Sequence, residues 1–282
     1  MKLREKITKN KPVLFVNQSI GPLFEDLISI SNQSFPVVVF KGFPYCKANI
    51  PLRLISWVIF TFQLSIYLLI NQKRFRKILI VSNPPLTSIL APFLYLPYSL
   101  LIYDLYPNVL NQLNNNKIMK IFIQLIYKIW TKYNYIIFNK AEYIFSISDE
   151  ISDSLKVYFT SESKFNNKVI SSPIWIPGND IKPISLEKNY FRKKFNIPKD
   201  KFLVVYSGNI GLTHPLHYFV EILPYLNKKF LFLIVAKGSQ RKKLEDLAVR
   251  NKSIGNNIFF IEPLSLSELP YLISAADLSI VS

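Results

Sequence analysis

Along the chain, short apolar runs alternate with longer stretches in which apolar residues return every three or four positions. The first half offers PVLFV at 12–16, PVVVF at 36–40, KILIVS at 77–82, SLLIY at 99–103 and EYIFSIS at 142–148. Helical patterns lie between and after them, near 23–31, 51–72, 86–96, 116–139 and 149–159. A strand covered on both faces has no solvent side to keep polar, so near-continuous apolar strands separated by helices predict a parallel sheet sandwiched by helices. A second series follows, with strands at 202–207, 230–236, 257–262 and 277–282 and helices near 216–227, 240–250 and 266–275. Pro224 should kink or end the first of those helices. Between the series, SSPIWIPGNDIKPIS places Pro173, Pro177, Gly178 and Pro183 close together, the texture of a linker. The expected fold is therefore α/β, two doubly wound domains at 1–172 and 187–282 joined by 173–186.

In such sheets ligands bind beyond the carboxyl ends of the strands. In the first half this directs attention to Gly21, Pro84, Asp104 and Ser148, each just after a strand. In the second half it directs attention to YSGNIG, Tyr206–Gly211, read as a loop between a strand and a helix. Gly208 and Gly211 would let the main chain approach a ligand, and the helix would aim free N–H groups at an anion such as a diphosphate. Glycines at this spacing also serve as plain turn residues. The functional reading gains from AKGSQRKKL, Ala236–Leu244, which puts Lys237, Gly238 and Arg241 at the equivalent edge. For Lys237 and Arg241 a solvated helix start is the competing reading.

Composition narrows the class. Of 282 residues 50% are hydrophobic and 15% aromatic, too apolar for a disordered chain. One cysteine, Cys46, forms no intramolecular disulfide, and two histidines, His214 and His217, make a histidine metal centre improbable. Neither a metal nor a cofactor is expected. The basic start, Met1–Lys11, precedes only four apolar residues, Val13–Val16, so no secretory core forms and a cytoplasmic location is expected. The longest apolar stretch, Leu54–Ile70, reaches about 25 Å as a helix, short of the ~30 Å hydrocarbon core. It reads as a buried or interfacial helix rather than a span, because strands flank it. Lys73, Arg74, Arg76 and Lys77 after it suit anionic lipid headgroups.

The ordered segments YSGNIGLTH, FLIVAKGSQRKKLEDLA and IFFIEPLSLSELPYLISAADLSIVS resemble the nucleotide-sugar-binding segments of glycosyltransferase family 4. That family is retaining and has the two-domain GT-B fold. VLFVNQSIGP, VSNPP at 81–85, LLIYDLYPNVL and SISDEISDSL resemble its acceptor domain. The resemblance spans nearly the whole chain and is strongest to members that build capsule, exopolysaccharide or lipid-linked glycans. It implies transfer of a hexosyl group from a nucleoside-diphosphate sugar to a lipid-linked or polysaccharide acceptor without bound metal. By position, Gly208, Asn209 and Gly211 would hold the diphosphate, with Lys237, Gly238 and Arg241 lining the same cleft. Glu262, Pro263 and Leu264 would offer backbone groups to the nucleobase, and His214 matches a position often histidine. Gly21 would face the donor from the other domain. Asp104 would orient the acceptor or the leaving sugar, with a helix N-cap or turn as its alternative.

Family members continue past a segment like AADLSIVS into acidic residues that contact the donor sugar and ribose, whereas the sequence ends at Ser282. The resemblance thus implies a second domain truncated within its site, and weak or absent turnover; the alternative is an inactive fragment retaining partial donor or membrane binding. The net charge of +17 is spread over both halves. The stretch 118–140 mixes Lys120, Lys128, Lys132 and Lys140 with Phe122, Tyr127, Trp130 and Tyr133, which suits an anionic membrane surface. Its bland alternative is an ordinary amphipathic helix. The expected location is peripheral, on the inner face of the membrane. No motif supports nucleic-acid binding, and the basic residues are scattered.

Overall fold

The computed structural model describes residues 11–46, 50–108, 117–173, 181–185, 187–211 and 214–281. The chain divides into two compact units, Met1–Trp175 and Ile176–Ser282. The asparagine run 114–116 and most of the linker lie outside the described residues.

The first unit is built on six strands: β1 (Val13–Val16), β2 (Val37–Val39), β3 (Lys77–Val81), β4 (Tyr98–Ile102), β5 (Ile144–Ser146) and β6 (Val169–Ser171). They pair in parallel in the order β2-β1-β3-β4-β5-β6. Side chains alternate across the sheet, as a period of two requires. Leu14, Val16, Ile78, Ile80, Leu100 and Ile144 enter one core, and Val13, Phe15, Val81 and Leu101 the other. On the first face lie α2 (Ile50–Asn71), a 3-10 segment (Pro85–Phe93) and α3 (Lys117–Lys140); the second receives Phe24 of α1 (Pro22–Asn32). Short helices α4 (Asp149–Leu155) and α5 (Glu162–Asn166) follow. Ser148 caps α4, its hydroxyl accepting from the Ile151 N–H at 3.3 Å. The sequence pattern had not foreseen β6, whose three residues lie at a sheet edge with little burial to betray them.

Helix α2 is long and apolar enough to cross a membrane by length and composition. Its place in the topology argues otherwise: it connects β2 to β3, which flank β1 in one sheet, and it packs Trp57, Phe60, Leu64 and Leu68 inward. Spanning would tear both strands from their partners and leave their backbone groups unsatisfied. The segment expected as a helix at 86–96 is instead a 3-10 run, bounded by Pro85 and containing Pro92, neither of which can donate a backbone hydrogen bond.

The second unit carries β7 (Phe202–Asn209), β8 (Phe230–Lys237), β9 (Ile258–Ile261) and β10 (Leu278–Ile280), parallel in the order β10-β7-β8-β9. Val204, Tyr206, Phe232 and Ile234 face α7 (His217–Ile222) and α8 (Arg241–Arg250). Leu203, Val205, Leu231 and Leu233 face Phe191 of α6 (Phe191–Lys194) and Leu272 of α9 (Leu269–Ala275). Helix α7 ends at Ile222 and passes into a 3-10 turn containing Pro224, as the proline dictates.

Candidate functional site

At the carboxyl edge of the second sheet the structure corrects the reading of YSGNIG in two ways. First, β7 continues to Asn209, where Gly208 pairs with Ala236 and Asn209 with Lys237, so both are strand-end residues. Second, among the described residues after Gly211 no helix begins before His217. Pro215 holds His214 out of helical conformation, and α7 begins only at His217, six residues long. At six residues α7 is too short to supply the anion-directed terminus expected there; α8, ten residues long, supplies one beyond Gly238.

Two loops are locked together at this edge. The Ile210 N–H donates to the Lys237 carbonyl at 2.8 Å, and the Gln240 N–H donates to the Ile210 carbonyl at 3.1 Å. Gly238 sits in this lock with φ +146°, and a Cβ there would meet the Ile210 carbonyl oxygen at 2.3 Å. Only glycine fits. The Gly211 N–H donates to His214 Nδ1 at 3.2 Å, which leaves the second ring nitrogen to carry the proton of a neutral imidazole. Ile210, Gly211, His214, His217, Gln240 and Lys243 line a cavity of about 300 Å³. Gln240 and Lys243 were not singled out from sequence, and His217 was weighed only as a metal ligand; a register of helix positions facing the glycine loop would have found Lys243.

Lys237 is exposed at this edge. Arg241 is held from several sides. Its Nε bonds Glu245 at 2.7 Å, while Nη1 bonds the Ala236 carbonyl and the Glu262 carboxylate, each at 2.6 Å. The two carboxylates raise its pKa further, the Glu245 bond foremost. Arg241 thus ties the ends of β8 and β9 to α8. Glu262 and Pro263 are exposed beyond β9, and Leu264 packs against the core beneath.

At the carboxyl edge of the first sheet, Asp104 follows β4. Its N–H and that of Tyr103 donate to Ser82 Oγ at 3.3 and 2.9 Å. No cap hydrogen bond forms at its carboxylate among the described residues. Asp104 is surface-exposed, yet crowding around its carboxyl group raises its pKa by desolvation. Tyr106 stacks on Trp130 with centroids 5.8 Å apart and meets Trp57 edge-on at 6.1 Å. Burial first, and the Asp104 charge second, push the Tyr106 hydroxyl up to about 12. Asn134, buried, donates to the Tyr106 carbonyl at 2.6 Å, and the Arg53 guanidinium lies 5.8 Å from the Tyr45 ring centroid. Gly21, the N-cap of α1, has an extended φ of −137° and open space around it.

A larger cavity, about 450 Å³, lies elsewhere in the first unit, where Leu27 and Phe35 face Leu79, Leu101 and Phe145. Its lining is mainly apolar, with Arg76 and Lys77 also on it, and it lies away from the carboxyl strand ends that carry Asp104 and Ser148. Among the described residues no three His, Cys, Asp or Glu side chains come together as metal ligands would.

Residues 187–282 match the family described as glycosyl transferases group 1. No curated protein matches the chain in sequence. Among solved structures, it resembles HepE of Anabaena in complex with UDP and glucose, with TM-score 0.63 and 13% identity over 95% of this chain and 73% of that one. Sucrose-phosphate synthase from Thermosynechococcus elongatus gives TM-score 0.69 and 13% identity over 95% and 74%. WaaG, a glycosyltransferase involved in lipopolysaccharide biosynthesis, gives 0.64 and 17% over 95% and 74%. The chain has the GT-B fold of these proteins, and the match of residues 187–282 supports a glycosyl transferase enzyme.

Proposed function

We propose that the protein transfers a hexosyl group, with retention, from a nucleoside-diphosphate sugar to a lipid-linked or polysaccharide acceptor in cell-surface glycan synthesis, as the family 4 resemblance implies. The observation that carries this is the pair of backbone-locked loops, 209–211 and 237–240, at the carboxyl edge of the sheet within the matched residues 187–282. When the bond between the anomeric carbon and the diphosphate oxygen breaks, negative charge gathers on the departing diphosphate. The Lys237 ammonium and the positive N-terminal end of α8, which the lock holds in place, would stabilise that charge more than the ground state, and this difference lowers the barrier. In this reading Arg241 holds the two strand ends in place, while Asp104 orients the acceptor hydroxyl or the leaving sugar. The cationic loops take the part a metal would play, so EDTA leaves turnover unchanged.

The HepE structures hold UDP, glucose or UDP-glucose, which makes a uridine diphosphate sugar the first donor to test. Calorimetry on the whole chain should show UDP binding that Lys237→Ala weakens and Lys252→Ala leaves alone. Transfer is then read with radiolabelled nucleotide sugar and a lipid acceptor. Failure to bind any nucleoside diphosphate would overturn the proposal; binding without transfer would reduce it to donor binding.

A further inference from the structure

Helix α2 is apolar on two opposite sides, and the fold uses only one. At about 100° per residue, Ile55, Val58, Phe62, Ile66 and Leu69 fall within an arc of about 80°, opposite the inward row Trp57, Phe60, Leu64 and Leu68. The outward five are all exposed. A helix of a soluble domain carries one apolar stripe, and a second needs an occupant.

The stripe belongs to a larger surface. Helix α2, the 3-10 segment 85–93 and α3 lie side by side on one face of the first sheet, since all three contribute to the same core. They are also stitched together. The Tyr95 N–H donates to Gln72 Oε1 at 3.4 Å, Lys140 Nζ donates to the Pro92 carbonyl at 3.4 Å, and the Tyr133 hydroxyl donates to the Ile89 carbonyl at 2.9 Å. Where the ends of α2 and the 3-10 segment meet, Leu69, Ile70, Phe93 and Tyr95 are 77, 75, 73 and 92% exposed. Lys73 and Arg74 follow directly on α2 and are exposed, and on α3 Lys128, Lys132 and Lys140 alternate with exposed Leu125, Ile129 and Ile136.

The charge of this layer identifies the occupant. Between Asp26 and Asp104, and again between Asp104 and Glu142, the sequence contains no acidic residue. Apolar and aromatic side chains bordered only by cations match an anionic bilayer, where rings settle at headgroup level and ammonium groups meet lipid phosphates. A protein partner fits less well, since lysine is depleted at protein interfaces. We propose that the outer face of this layer docks on an anionic membrane surface, with α2 lying in the plane of the interface. This goes beyond the transfer reaction and stands on the surface alone, whether or not a nucleotide sugar binds.

Sedimentation of the whole chain with vesicles tests it. Binding should be at least about tenfold stronger to phosphatidylcholine vesicles containing phosphatidylglycerol than to phosphatidylcholine alone, and should fall as salt is raised. The triple variant Phe62→Ser, Leu69→Ser, Phe93→Ser should lose at least about tenfold in binding with an unchanged melting temperature, since all three side chains are exposed. Lys73→Ala with Arg74→Ala should erase much of the preference for anionic lipid. Equal binding by the triple variant, or no preference for anionic vesicles, would overturn the proposal. So would resistance to carbonate extraction, which marks a span. A dimer in light scattering that the triple variant dissolves, without vesicle binding, would assign the face to a second copy instead.

Discussion

The carboxyl edges of the two sheets are built from different materials. In the second unit the edge is main chain held by main chain, with Ile210 bonded to the 237–240 loop and Gly238 filling a space no side chain can enter. In the first unit it is made of side chains: Trp57, Tyr106 and Trp130 in contact, Asn134 and Ser82 bonding the main chain that carries Tyr106 and Asp104, and Asp104 raised in pKa beside them. A main-chain cradle recognises what every donor of a class shares, such as a diphosphate, because its N–H groups are independent of residue type. A side-chain wall can vary with the molecule it receives. The first kind of edge suits a common donor, the second a particular acceptor.

The sharpest test of the contrast is Gly238→Ala. A methyl group 2.3 Å from a backbone oxygen, at φ +146°, forces the two loops apart and should cost about 2–3 kcal/mol. Calorimetric affinity for UDP should fall at least tenfold. Gly255→Ala is the control: φ is +76° but nothing lies within 4 Å, so the cost is backbone strain alone, about 1 kcal/mol, with UDP affinity unchanged. Equal losses in the two variants would show that the 210–238 lock does not matter. Next in size is Asn134→Ala in the first unit, which removes a buried side chain and leaves the part-buried Tyr106 carbonyl without that donor, and should destabilise by about 1–2 kcal/mol in denaturant unfolding. UDP affinity should not change if, as proposed, the donor sits at the other edge.

The two edges also differed in legibility. Gly208, Gly211, Lys237 and Gly238 lie in two short segments, each beside an apolar strand, so local pattern alone located them. The extent of β7 was misread because strand pairing carries Gly208 and Asn209 two residues beyond the apolar run; α7, expected near 216, does begin at His217, but Pro215 separates it from the glycine loop it was taken to follow directly. Arg241 was read as a ligand group, and its carboxylate partner Glu262 is twenty-one residues away, a distance no local pattern spans. In the first unit the reading reached Gly21, Pro84, Asp104 and Ser148, each just after a strand, but not the aromatic wall beside Asp104. Tyr45, Arg53, Trp57, Tyr106 and Trp130 gather there from widely separated segments and become neighbours only through the order β1-β3-β4. The outward face of α2 was legible as hydrophobic but not as outward. That needed both flanking strands placed in one sheet.

Arg241→Lys sharpens the comparison further. Lysine keeps the charge but not the fork that reaches Glu245, Glu262 and the Ala236 carbonyl together. If Arg241 is a tie, the substitution should cost about 1 kcal/mol, and Glu262→Gln on that background should cost less than it does alone, as a double-mutant cycle would measure. If Arg241 instead meets the diphosphate, lysine should preserve stability, and UDP affinity should fall with no coupling to Glu262.

The smallest effect concerns Asp104. Desolvation raises its pKa above 3.8, so between that value and the raised one the folded protein holds a proton that the unfolded chain releases. Stability therefore falls as pH rises through this window, and above it the charge is a constant cost. Asp104→Asn removes the cost: at neutral pH the melting temperature should rise by about 1 °C, the effect being held to a few tenths of a kcal/mol by the exposure of the group. Below pH 3.8 the gain should vanish. Transfer to acceptor should drop sharply in the same variant while UDP affinity stays put. A stabilised protein that has lost transfer but not donor binding would mark a carboxylate kept against its folding cost for the acceptor side. Loss of stability in Asp104→Asn would mean the first edge is held by that charge, and the contrast between the two edges would fail.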